Sequence, residues 1–379
     1  MQLKKLSILT ALALSISAIH AEDYVSVQFL GYDEDSGRST VFSPIFGINK
    51  DIGADYSFNL SFGVDSISGA SPTFYDSVSG ASAGSRGVTT SNSVAYGDID
   101  YDDVRKFVSL SGTKRFASRD ELLVGISSSD ESDYRSLEIS SEYLHYLDSS
   151  KNRSITIGGA YQKNSVLIPC HGNPQCDSES GASKSFDIDV ISGEIGFTQI
   201  IDKTSLFKTS VFYSLEDGYL GNPYMNIVRN FSTSPLIEAE RKPDTRVSYG
   251  ATLQYTKAFS DRLSAIGDYR YYSDDWEISS HTLALELNYD LDDKWSFGSG
   301  IRYYTQSEAE FYSENMDYFT SEKYASSDRR MSDLSSINYK LSTDYKLSKK
   351  ISINSAVVYY DQPDWFNSIY YTIGAKYFY

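Results

Sequence analysis

Hydrophobicity alternates at period two along almost the whole chain after Glu22, and little of it repeats at the 3.6-residue period of a helix. The final segment is the clearest. Ile369, Tyr371, Ile373, Ala375, Tyr377 and Tyr379 make one apolar face, and Ser368, Tyr370, Thr372, Gly374 and Lys376 make the other. The same pattern runs through Val247, Tyr249, Ala251, Leu253 and Tyr255, through Leu283, Leu285, Leu287 and Tyr289, and through Ile337, Tyr339, Leu341 and Tyr345. The chain therefore has to be built of strands.

A soluble sandwich also alternates, but its second face does not look like this one. Here the opposite face is almost wholly Ser, Thr, Gly and charge, and tyrosines cluster toward segment ends, as membrane-interface girdles do. A water-filled lumen accounts for that inventory; a packed core does not. Short turns are expected near 49–55, 117–120, 148–153, 202–204, 260–262, 292–294 and 348–350. Longer connections of uneven length fall between them, at 68–103, 169–184, 216–244 and 307–330. Short and variable connections thus take turns, as periplasmic turns and extracellular loops do. The fold expected is all-β: a transmembrane antiparallel β-barrel of about 16 strands. Its aromatic last residue resembles the terminal signal read by the barrel assembly machinery. The Ser/Gly-rich run 68–97 reads as a mobile loop.

Lys4 and Lys5, the apolar run from Leu6 to Ile19, and Ala21 form a secretory leader too short to span a membrane as a helix. The expected organisation is a signal peptide over 1–21 and a barrel over 22–379, placed in the outer membrane of a Gram-negative bacterium. A formal net charge of -17 argues against a nucleic-acid partner.

If the apolar face meets lipid, the other face lines the lumen. That puts Glu138, Glu142 and Glu194 on one arc. Lys208, Arg246, Arg270, Arg302 and Lys340 fall on later strands, mixed with Asp268, Glu286 and Asp344. Two readings stay open: a transverse field across a pore, or charges that merely pair and hydrate. A one-residue slip of register would reverse every assignment. His145 and His281 fall on the lipid-facing register, so no Ser/His/Asp constellation forms and no enzyme chemistry is expected.

Cys170 and Cys176 share one connection. In an oxidising compartment the default is a small disulfide ring, the alternative being a Cys/His/Cys metal clip through His171. Asp98, Asp100, Asp102 and Asp103 have hard oxygen ligands but lack the glycine of a calcium loop, and read as a solvated acidic loop.

One heptad occurs three times. Asp65 to Ser71 reads D-S-I-S-G-A-S, Asp76 to Ser82 reads D-S-V-S-G-A-S, and Asp177 to Ser183 reads D-S-E-S-G-A-S. It resembles the acceptor motif of bacterial flavin transferases, D-x-x-[ST]-G-A-[ST], in which FMN is joined through its phosphate to the last hydroxyl. The resemblance implies covalent FMN on Ser71, Ser82 and Ser183, with Asp65, Asp76 and Asp177 beside them. Small neighbours suit a hydroxyl that must enter another protein's cleft, and a nearby acid helps organise metal or proton transfer. All three acceptors here are Ser, where the familiar one is more often Thr. The adjacent pair is also open to the plainer reading of local duplication in a serine-rich loop.

Scattered motifs resemble an outer-membrane family catalogued as domain of unknown function 3570. They are Asp65 to Pro72, Pro243 to Arg246, Asp268-Tyr269-Arg270-Tyr271-Tyr272-Ser273-Asp274-Asp275-Trp276, and Ser280-His281-Thr282. That family tends to accompany flavin transferases. The function expected is electron transfer at or across the outer membrane through covalent FMN, with redox partners on either side. Arg246, Arg270 or Arg302 would stabilise a reduced anionic flavin. The rivals are a passive porin for small solutes and a structural or adhesive barrel with a plugged lumen. The heptads carry one conflict: strand parity puts them at the outer rim, whereas a flavin transferase works in the periplasm. Either modification precedes insertion or these segments fold back into the lumen.

Overall fold

Strands with one apolar face leave two problems, unpaired edges and an apolar surface; closure removes the edges and lipid covers the surface. The computed structural model describes residues 23–35, 39–76, 89–90, 94–169, 183–222, 224–315, 317–363 and 365–379, with side chains for all of these except 69–76, 89–90, 95–101 and 169. Sixteen of the described strands close into one antiparallel barrel. In chain order they are β1 (Tyr24–Glu34), β2 (Ser39–Ile52), β3 (Tyr56–Asp76), β4 (Val94–Arg115), β5 (Glu121–Asp130), β6 (Tyr134–Tyr146), β7 (Arg153–Pro169) and β8 (Ser183–Asp202). They continue as β9 (Ser205–Gly218), β10 (Thr245–Ala258), β11 (Leu263–Asp274), β12 (Ser279–Asp290), β13 (Trp295–Gln306), β14 (Leu334–Lys346), β15 (Ile351–Gln362) and β16 (Phe366–Phe378). Each pairs with its chain neighbours, and β16 returns to β1 from Tyr24↔Phe378 to Glu34↔Ser368.

The outward face is the apolar one. Leu341 is 63% exposed, Leu283 60% and Ile157 56%, where a soluble protein would bury them. Near the short-turn end Trp295 packs against Tyr345 with ring centroids 4.3 Å apart, an aromatic anchor suited to the membrane–water interface. The short connections 53–55, 116–120, 147–152, 203–204, 259–262, 291–294 and 347–350 all lie at the end that holds Tyr24 and Phe378.

The barrel is taller on one side. β3 and β4 run for 21 and 22 residues and β7 and β8 for 17 and 20, whereas β11, β12, β13 and β15 have 12 each. At about 3.3 Å per residue β3 and β4 run roughly 30 Å further along the strand than the short ones, or about 20–25 Å along the barrel axis at the usual tilt.

The described parts of the run 68–97 correct the sequence reading. Residues 68–76 and 94–97 are strand, not loop: β3 and β4 stay paired from Ser68↔Asp102 through Ser71↔Ile99 to Asp76↔Val94. The register is unbroken along that edge, and the β-forming stretch Thr73-Phe74-Tyr75 opposite Ala95-Tyr96-Gly97 continues the ladder that Ser/Gly composition alone would not suggest. The acidic run Asp98 to Asp103 is therefore strand as well.

The long connections build a cap. Within 219–244, strands Asn226–Arg229 and Leu236–Ala239 pair, and the second also pairs with Thr89–Thr90 from the β3–β4 connection. Those connections leave the wall five or more strands apart, so the segment crosses the mouth. The β13–β14 connection joins it: Ile227, Phe319 and Ala325 form one buried cluster, and Leu220, Trp276, Ile278, Ala309, Phe311, Tyr312 and Met331 form another.

Candidate functional site: the lumen wall, its cap and the tall hairpins

Alternation assigns faces, and the register fixes them. Glu138, Glu142 and Glu194 lie opposite the outward Leu137, Ile139 and Ile195, on the lumen face of β6 and β8. Gly158 on β7 pairs with both Glu142 and Glu194, so the two carboxylates flank a residue with no side chain. Gln162 donates to Glu138. On the following wall, Lys208 lies on β9, Arg246 on β10, Asp268 and Arg270 on β11, Glu286 on β12, Arg302 on β13, and Lys340 and Asp344 on β14, all with inward parity. Some are matched: Arg246 bonds Asp274 at 2.5 Å and Lys340 bonds Glu286 at 3.0 Å. Others, Arg270 and Arg302 among them, have no ion pair among the described residues. His145 and His281 are exposed on the outward face, and Tyr269 Oη lies 2.8 Å from His281 Nδ1.

The sequence reading assigned the tyrosines to girdles and missed those inside. Tyr32, Tyr272, Tyr304 and Tyr360 lie on the inward face of β1, β11, β13 and β15, each donating its hydroxyl two residues on: to Glu34, to Asp274 at 2.8 Å, to Gln306 at 2.7 Å and to Gln362 at 2.7 Å. The strands between present buried serines in register, Tyr272↔Ser280, Tyr304↔Ser336 and Tyr360↔Ser368. On β2 to β4 the band continues as Ser43, Asp65 and Arg105, where Ser43 donates to Asp65 and Arg105 Nε donates to it at 2.6 Å. The signal was legible as Tyr followed at i+2 by an acid or amide: Y-D-E, Y-S-D, Y-T-Q and Y-D-Q.

The cap holds a buried ionic cluster that no sequence pattern announced. Lys242 Nζ lies 3.0 Å from Glu240 Oε1 and 3.3 Å from Asp328 Oδ2, all three side chains being 4% exposed or less. Ser326 donates to Glu240, the Asn222 amide donates to Glu240 at 2.5 Å, and Arg330 Nε lies 2.8 and 2.9 Å from the Asp328 oxygens. Burial alone would lower Lys242, but Glu240 and Asp328 override it and hold the ammonium above the ordinary lysine value. Burial pushes Glu240 up and pulls the Arg330 guanidinium down to about 10. Gln306 fastens the cap to the wall through Nε2, which donates to the carbonyls of Arg330 at 3.0 Å and Ser332 at 2.7 Å. On the other side Tyr224 donates to Asp133, whose carboxylate converges with those of Asp103 and Glu131 within 4.8 Å.

The heptads sit on the tall hairpins. Ser71 lies in β3 beyond Ser39↔Gly69, the last pair with β2, so that stretch is held on its β4 edge alone. Ser183 is exposed and opens β8, paired with Pro169 of β7 and preceding Ile188, where pairing with β9 begins. These serines are strand residues, not loop residues, and the first heptad does not fold back into the lumen. Among the described residues each is β-paired on one edge only. Asp65 is placed differently: its carboxylate is bound to Arg105 and Ser43, about 20 Å along an extended strand from Ser71. The side chain of Asp76 is outside the described set, as are Ser82, Asp177, Cys170, Cys176 and the leader.

A family model described as "Protein of unknown function (DUF3570)" matches residues 7–369. No curated protein matches the sequence. Among solved structures, a bacterial polysaccharide outer membrane secretin is 8% identical, with a TM-score of 0.50 over 95% of this chain and 99% of that one. CdiB from Escherichia coli is 10% identical, with a TM-score of 0.50 over 95% of this chain and 64% of that one. The P. putida toluene transporter TodX is 12% identical, with a TM-score of 0.42 over 96% of this chain and 91% of that one. At such identities the likeness carries the fold, an outer-membrane barrel. With the apolar outer band, that fold places the chain in the outer membrane of a Gram-negative bacterium.

Proposed function

We propose, on the premise that the chain belongs to the DUF3570 family and that membership assigns it no activity, an outer-membrane barrel that carries covalent FMN on its tall hairpins and passes electrons at the outer membrane. One observation carries this reading: Ser71 and Ser183, the last residues of two of the three heptads, both sit where a strand has passed its pairing with one barrel neighbour and, among the described residues, is paired on one edge only. The flavin would supply the redox chemistry; the chain fixes where it stands. The tall wall lifts the acceptor segments clear of the membrane, toward partners outside. Asp65 is locked into the β2–β4 wall once the barrel is closed, so on this reading a periplasmic transferase modifies the chain before assembly.

The test is intact mass after expression with and without a flavin transferase. A transferase-dependent gain of one to three FMN-minus-water units supports the reading, and the triple variant Ser71→Ala, Ser82→Ala, Ser183→Ala should lose that gain while still assembling. An unmodified mass beside a demonstrably active transferase, or covalent flavin retained in the triple variant, overturns it.

A second reading, a passive diffusion porin for small solutes, is favoured by the acidic and basic side chains that line the lumen face. It predicts ion conductance in planar bilayers from colourless protein. The cap across the mouth weighs against an open passive pore.

A further inference from the structure

Three cations on the wall from β9 to β13 have no carboxylate partner among the described residues. Lys208, Arg270 and Arg302 lie on alternate strands, all facing the lumen, and none makes an ion pair among the described residues. Neighbouring cations are matched, Arg246 by Asp274 and Lys340 by Glu286. Of the other inward carboxylates on these strands, Asp268 accepts from Gln254 at 2.7 Å and Asp290 accepts from Ser296 at 2.5 Å, and Glu216 near the cap has no ion pair within 4 Å of Lys208, Arg270 or Arg302 among the described residues. Each arginine lies against an aromatic ring: Arg270 is 4.7 Å from the centroid of Phe212 and Arg302 is 5.4 Å from that of Tyr304. Such contacts hold a guanidinium plane in place while leaving N–H groups to donate.

The strand between them is shaped to leave room. β12 presents Thr282, in register with Arg270 and Tyr304, and Ala284, in register with Asp268 and Arg302. Two strand spacings separate β11 from β13, roughly 10 Å, so two long side chains can converge over these small residues. Two unpaired guanidinium groups on one face of the wall match the oxygens of a planar or tetrahedral oxyanion.

We infer that Arg270 and Arg302 form an oxyanion-binding position on the lumen wall, taking the carboxylate or phosphate group of a small solute. The site does not depend on flavin attachment, and its test uses the full-length barrel expressed without a flavin transferase. Inorganic phosphate and succinate are titrated separately by calorimetry into folded protein in detergent at low ionic strength. Saturable binding of either supports the site, and the arm that binds names the group. The double variant Arg270→Gln, Arg302→Gln should weaken that binding at least tenfold, and Arg135→Gln, on the outward face beside Asp130, should leave it unchanged. If the double variant does not fold, Arg270→Gln alone carries the test, because Arg270 is solvent-exposed. No saturable binding to the wild type, or affinity within twofold in a folded variant, overturns the inference.

Discussion

Arg105 on β4 reaches across the strand pair to Asp65 on β3, its Nε donating to Oδ2 at 2.6 Å, with both side chains little exposed. Asp65 is at once the first residue of a flavin-acceptor-like heptad and a fixed part of the lumen wall. Replacing Arg105 with Gln strands that carboxylate with Ser43 alone, at an expected cost of about 3 kcal/mol. Asp65→Asn with Arg105→Gln should recover part of the loss. Urea titrations of the barrel folded in liposomes check both. Equal stability of the single variant and the wild type would mean that water already satisfies Asp65.

Lys242 holds two connections together from a fully buried position, so Lys242→Met should loosen the cap by about 3–5 kcal/mol and leave the barrel closed. Hydrogen exchange should then rise in 225–242 and 325–331 without change in the strands. The pH dependence has a definite sign. The Lys242 pKa is raised in the folded state, so its stabilisation is full below the ordinary lysine value of 10.5 and is lost as pH climbs through the folded value. The wild-type cap should therefore open at strongly alkaline pH, and the Met variant should lack that transition.

Asp120, in the turn before β5, behaves in the opposite sense. The Tyr146 backbone N–H, with Ser118, His145 and Tyr143, holds its carboxyl down to about 2. Its stabilisation is present above the ordinary aspartate value of 3.8 and fades as pH falls toward 2. Asp120→Asn should be less stable than wild type at pH 7, and the gap should close on acidification. Unfolding midpoints at pH 7, 4 and 2.5 decide it, and a constant gap across that range would refute the assignment.

Gln306 bonds Tyr304 on the wall and two carbonyls of the cap with one side chain. Gln306→Leu strips three hydrogen bonds, each worth about 1 kcal/mol, and leaves the carbonyls of Arg330 and Ser332 without that donor. Protease should then cut between residues 307 and 333 faster in the variant than in the wild type. An unchanged rate would show that the apolar cluster of Trp276, Phe311 and Met331 fastens the cap by itself.

The barrel was legible because its signal is repetitive: period-two alternation recurs sixteen times, and one misread strand is corrected by its neighbours. The lumen face of Glu142 or Arg302 follows from parity once Ile139 or Ile301 is placed outside. What failed was local. Composition made 68–97 a loop, whereas pairing of 68–76 with 94–102, invisible to composition, made those residues a wall. The cap cluster joins Glu240 to Ser326 and Lys242 to Asp328, each pair 86 positions apart, and no period connects them. Tyr304 and its counterparts were hidden for another reason: tyrosine suits both a membrane interface and a wet lumen, so only the acceptor two residues on separates the two.

Gly218 ends β9 and turns the chain into the cap, with φ at +129°, a region that residues with a Cβ avoid. A Cβ there would also lie 2.1 Å from the Asp187 carbonyl oxygen on β8, which is backbone and cannot swing aside. Gly218→Ala should therefore cost at least about 2 kcal/mol and lower the yield of assembled barrel. Gly267 supplies the control. It sits in β11 with nothing within 4 Å of an added Cβ, so Gly267→Ala should assemble as the wild type does. Heat-modifiable migration of the two variants on gels separates the outcomes. Equal assembly of both would mean that β8 and β9 shift apart at Asp187 at little cost, and that the entry to the cap is softer than its geometry implies.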